Sequence, residues 1–136
     1  MNASKVPILI VTCTVALSLV AQTSQPLRTR IPKADPNKYK AIQDGQEWQN
    51  PKMFVRPEGI EVIGVTPRAR DIPVESVPEI LEHLPDSAWP YGLVVAVGDI
   101  GLIGSRKDKP RIQANRIKLL RILRQRGIVV ELWPSS

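Results

Sequence analysis

Two apolar runs without polar alternation flank a long amphipathic segment near the C-terminal end. Residues 93–97 read Leu-Val-Val-Ala-Val and stop at Gly98; residues 128–133 read Ile-Val-Val-Glu-Leu-Trp and stop at Pro134. Both are rich in β-branched side chains and predict short strands, the first buried on both faces. Between them, residues 110–126 place apolar side chains at helical spacing. At about 100° per residue, Ile112, Leu119, Leu120 and Leu123 share one arc, and Lys118, Arg121 and Gln125 lie opposite. Asp108 is the expected cap, and Gly127 stands where a glycine ends a helix. Strand, helix and strand together predict a β-α-β unit on which the rest of the chain packs.

Upstream, residues 52–56 and 60–66 are strand-like, and Pro57, Glu58 and Gly59 between them predict a hairpin turn. Residues 66–71, with Arg68 and Arg70, read as a charged connection. Val77, Ile80, Leu81 and Leu84 form one apolar stripe of a short helix that Pro85 terminates. Ser76 and Glu79 have capping-box spacing. Trp89 and Tyr91 fall in a turn-rich connection and are expected to close the core edge. Gly98, Gly101 and Gly104 predict a strand exit or hairpin; their spacing is not that of a phosphate-binding loop.

The N-terminal third follows other rules. Residues 1–21 have the three parts of an export signal: Lys5, an apolar run over 6–21, and small Ala21 before polar Gln22. The sixteen residues 6–21 would span about 24 Å as a helix, short of a hydrocarbon core of about 30 Å. That favours a cleaved signal, with an uncleaved N-terminal membrane anchor as the alternative. Residues 22–51 read as a polar linker. Within it, Asp35 and Pro36 are a helix-start signal for a short helix over 36–43, and Trp48 is expected to fold back against one end of the core. Residues 52–136 are then the folded α+β domain.

Charge sharpens this division. The net charge of +6 hides an acidic middle, four basic and ten acidic side chains over 42–105, and a basic segment, nine basic and one acidic over 106–126. The exposed side of the predicted basic helix, with Arg111, Arg116, Lys118, Arg121 and Arg124, is the candidate binding surface for a partner or an anionic envelope surface. Such a face also suits nucleic-acid phosphates, but an export signal argues against that partner.

The inventory for catalysis is thin. His83 is the single histidine and Cys13 the single cysteine, in the apolar N-terminal run. Neither a disulfide within the chain nor a His/Cys metal set can be written. No catalytic, metal-binding or cofactor-binding residue is assigned, and no cofactor is expected. A small hydrolase remains the alternative, with Ser76, Ser87, Ser105, His83 and Asp99 as its raw material.

The order of elements resembles the periplasmic domain of the ExbD/TolR family. The matching pieces are Glu58-Gly59-Ile60 with its strands, residues 72–81, residues 94–99 (Val-Val-Ala-Val-Gly-Asp) and residues 119–128. The resemblance implies a small single α+β domain, a mixed sheet of four to five short strands with two helices on one face, and a tendency to dimerise. That family's membrane helix carries an Asp for proton-coupled energy transfer; residues 6–21 hold none, so motor coupling and site residues do not carry over. The sequence therefore predicts a non-enzymatic, exported or membrane-associated protein, periplasmic or extracellular, that binds an envelope protein or itself as a homodimer. Peripheral binding to an anionic membrane surface through 110–126 is the alternative.

Overall fold

The computed structural model describes residues 26–64, 69–99 and 106–133. The expected signal or anchor over 1–21 and the glycine-rich run past residue 99 lie outside them. In chain order the elements are α1 (Leu27–Arg30), α2 (Pro36–Tyr39), β1 (Lys52–Val55), β2 (Ile60–Ile63), β3 (Ala69–Ile72), α3 (Val77–Glu82), β4 (Val94–Asp99), α4 (Lys109–Gln125) and β5 (Val129–Leu132). The strands form one mixed sheet in the order β3-β2-β1-β4-β5. β2 pairs antiparallel with β1 and β3, while β4 runs parallel to β1 and to β5. This is the small α+β domain that the pattern predicts, with β4, α4 and β5 as its β-α-β unit.

The period-2 alternation of the strands divides the core. Met53, Val55, Ile60, Val62, Val95 and Val97 turn to one face, where Val77 and Leu81 of α3 and Ile112, Leu119 and Leu123 of α4 cover them. Both main helices thus lie on the same side. Leu81, Leu119 and Leu123 have no exposed surface, and each such burial stabilises the fold by roughly 1.5–3 kcal/mol. Val94 and Ala96 turn to the other face and meet Tyr39, Trp48 and Tyr91. β4 is buried on both faces for this reason.

Helix α4 ends as Gly127 predicts. Gly127 takes φ +74°, its N–H donates to the Arg124 carbonyl, and the Ile128 N–H donates to the Leu123 carbonyl, each at 3.0 Å. Ile128 and Leu123 are both buried in the same cluster, so the chain turns from helix into β5 through a Schellman motif with its apolar contact. At the start of α2, Asp35 accepts from the Asn37 N–H at 3.1 Å with Pro36 as the first helical residue.

Three expectations need correction. Residues 26–51 are not a linker in the packing sense: Leu27 and Ile31 enter the helix-side core, and Tyr39 and Trp48 enter the other. Trp48 folds back against the core as expected, but Leu27, Ile31 and Tyr39 are isolated in a polar stretch and no periodicity announces them. Arg30 adds hydrogen bonds to the Glu82 and Leu84 carbonyls at 2.9 and 3.3 Å, covering the C-terminal end of α3. Second, the charged connection at 66–71 runs into strand β3, Ala69–Ile72. Its pairing with β2 shifts by one residue between Ile60 and Val62, and Asp71 stands at φ +54°, which marks a bulge. Third, Asp108 makes no side-chain cap bond to α4, and Ser76 makes none to α3. The 3-10 turn Val74–Ser76 already places it in helical conformation, and a capping side chain needs an extended backbone.

Candidate functional site

The two edges of the sheet differ in their chemistry. β3, at one edge, is bulged, carries Arg70 and Asp71, and is pinned by an ion pair: Arg70 Nε lies 3.5 Å and Arg56 Nη1 3.0 Å from the buried Glu61 carboxylate. Bulges and charges of this kind are how sheets discourage a further strand. β5, at the opposite edge, has neither bulge nor lysine nor internal proline. Val129 is 44% and Leu132 is 52% exposed.

Hydrogen-bond alternation fixes which backbone groups of β5 are open. The Val129 N–H donates to the Leu93 carbonyl and the Trp133 N–H to the Val97 carbonyl, each at 3.0 Å. Residues 129, 131 and 133 therefore face β4. The N–H and C=O groups of Val130 and Leu132 face outward.

Two surfaces flank this edge. On the helix side stands α4. One flank of it is already engaged: Lys118 Nζ is 2.9 Å from Glu75, Arg126 Nη1 is 2.8 Å from Glu82, and Asn115 Nδ2 donates to the Arg56 carbonyl at 2.9 Å. These contacts turn that flank toward α3 and the hairpin, on the β1–β2 side of the sheet. The helical period puts Gln113, Arg116, Leu120 and Arg124 on the other flank, toward the β4–β5 side of the sheet. Of the five basic candidates, Arg111, Lys118, Arg121 and Arg124 are exposed and Arg116 is half-buried. They do not converge. Lys118, Arg121 and Arg124 form one stripe, Arg116 sits to the β5 side, and Arg111 begins the helix.

On the far face lies an aromatic cluster. Trp48 packs edge-on to Tyr39, Tyr91 and Trp133, with ring centroids 5.6, 5.1 and 5.8 Å apart. An apolar cleft of about 550 Å³ runs beside it, bounded by Trp48, Phe54, Gly98 and Trp133 with Asp44 and Lys52 at the rim. Gly98 lets Phe54 lie across β4, since a Cβ there would sit 3.3 Å from its ring. A smaller hollow of about 230 Å³ adjoins β5 between Tyr39, Trp133 and Glu131. Burial and the carboxylates of Glu131 and Asp35 push the Tyr39 hydroxyl pKa above its ordinary value.

The hydrolase raw material is scattered. His83 is exposed and sets Nδ1 2.7 Å from the Glu79 carbonyl of its own helix. Asp99 ends β4, and Ser105 lies outside the described residues. Among the described residues, no three His, Cys, Asp or Glu side chains group as a metal site, and no helix is long and apolar enough to cross a membrane. Comparisons with family models, curated proteins and solved structures return no match.

The edge itself was missed at the sequence level. The signal was present: 128–133 is apolar, and it is the last strand-like run of the chain. Which strand lies outermost, however, is a property of sheet order.

Proposed function

We propose that this is a non-catalytic exported envelope protein that binds a partner through the open edge of its sheet. One observation carries the reading: β5 presents outward N–H and C=O groups at Val130 and Leu132 between exposed apolar side chains, while the opposite edge is bulged and charged. Strand addition to such an edge gives affinity through main-chain hydrogen bonds and specificity through alternate side chains. The placement in the envelope rests on the signal-like pattern of 1–21. The order of hairpin, helix, strand, helix and strand fits the ExbD/TolR-like reading, which implies the fold and a tendency to dimerise but not motor coupling.

Site-specific photo-crosslinking in cells tests it. A crosslinking residue at Val129 or Leu132 should yield a discrete adduct with a second polypeptide, and one at Arg70 on β3 should not. Equal labelling at the two edges, or no adduct at β5 together with a monomer by light scattering, contradicts the reading.

A second reading has its own observation. Ile117, 53% exposed, sits within the Lys118, Arg121 and Arg124 stripe, a pattern suited to lying on an anionic membrane surface. Binding of the full-length chain to anionic vesicles that weakens as salt rises, and that Ile117→Ser reduces, supports it; salt-independent binding refutes it.

A further inference from the structure

We infer that the strand added at β5 comes from an acidic, extended segment of another protein, and not from a second copy of this chain. The inference rests on the edge-binding reading above and adds the chemistry of the occupant. An incoming strand has two sets of side chains, one toward α4 and one toward the aromatic face. Toward α4 it meets half-buried Leu120 and Arg116 and exposed Arg124. Among the described residues no carboxylate pairs with Arg124. Toward the other face it meets the hollow formed by Tyr39, Trp133 and Glu131. Glu131 disfavours an acid there, and the rings favour an apolar side chain. The edge thus reads a two-residue repeat, acidic toward the helix and apolar toward the aromatic cluster.

A second copy fits poorly. Two β5 strands paired antiparallel about a two-fold axis would set the two α4 helices on the same face of the joined sheet, since α4 covers that face in each copy. Each copy brings nine basic and one acidic side chain over 106–126, and like charges at close range oppose that pairing. Charge complementarity points to a different chain.

The test uses the full-length protein and a short labelled peptide of alternating valine and glutamate, with a valine–lysine counterpart. Binding is followed by fluorescence anisotropy at low salt. The glutamate peptide should bind at least on the order of tenfold more tightly than the lysine peptide, and Arg124→Glu should remove much of that preference. Val130→Pro should weaken binding by at least on the order of tenfold, because its N–H faces outward and its loss leaves the ladder to β4 intact. Should that variant fail to fold by circular dichroism, Leu132→Lys takes its place. Equal binding of both peptides, lost in Val130→Pro, overturns the acidic occupant and leaves the edge reading standing. A dimer in light scattering that Val130→Pro dissolves does the same, by making the second copy the occupant. Peptide binding indifferent to Val130→Pro and Leu132→Lys overturns both, as does binding to anionic vesicles without binding to either peptide.

Discussion

Asn50 shows how much of this fold hangs on single polar side chains. It is 3% exposed. Its Nδ2 donates to the Gly92 and Val94 carbonyls at 2.8 Å each, and its Oδ1 accepts from the Tyr91 N–H at 2.9 Å. It thereby ties the entrance of β1 to the entrance of β4. Asn50→Ala removes the bonds to the Tyr91 N–H and the Val94 carbonyl, while the Gly92 carbonyl keeps the Val94 N–H at 2.8 Å, and should destabilise the chain by about 2–4 kcal/mol, read as a lower urea midpoint with an unchanged slope. Gly92 has a similar weight for a steric reason. It takes φ +84°, and a Cβ there would sit 2.2 Å from the Lys33 carbonyl oxygen. Gly92→Ala should cost about 2 kcal/mol or more and separate residues 33–34 from the turn, visible as faster amide exchange at Asp35, whose N–H donates to the Tyr91 carbonyl. Neither role was readable from the chain, because the partners of Asn50 lie 41 to 44 residues away. Gly92 looks like any turn glycine until Lys33 is seen above it.

At the scale of elements, legibility followed periodicity. The runs at 93–97 and 128–133 and the helix between them announced themselves because β4 is buried on both faces and α4 carries a continuous apolar stripe. Strand β3 did not, since an edge strand interrupted by Arg70 and Asp71 has no alternation to show. Nor did spacing reveal that Ser76 would already be turning in a 3-10 helix. Two ion pairs tie α4 and its C-cap to α3 and the 3-10 turn before it. The Lys118 ammonium holds the Glu75 carboxyl below the usual carboxylate range, chiefly by its hydrogen bond. A carboxylate depressed in the folded state contributes stability at neutral pH and loses it as pH falls through that depressed value. Lys118→Ala should raise the Glu75 titration midpoint toward that of an ordinary Glu, followed by carboxyl carbon shifts in NMR. Because both side chains are more than half exposed, little change in overall stability should accompany it.

For the whole molecule, residues 26–51 belong to the fold. They supply Leu27 and Ile31 to one core, Tyr39 and Trp48 to the other, and the Asn50 clamp. A chain beginning at Lys52 should lose cooperative thermal unfolding, as followed by circular dichroism. The sequence alone placed the positive charge on α4 but left its setting unread, since Lys118 and Arg126 reach toward α3 and the turn before it while the helical period puts Arg124 on the opposite flank. That arrangement makes the edge and the basic flank one surface. Amide hydrogen exchange of β5 tests this most directly. In the free full-length chain, the Val130 and Leu132 amides should exchange fast, and the Val129 amide, bonded to Leu93, slowly. With the valine–glutamate peptide bound, Val130 and Leu132 should slow by at least on the order of tenfold. Peptide binding that leaves both amides as fast as before would contradict the account.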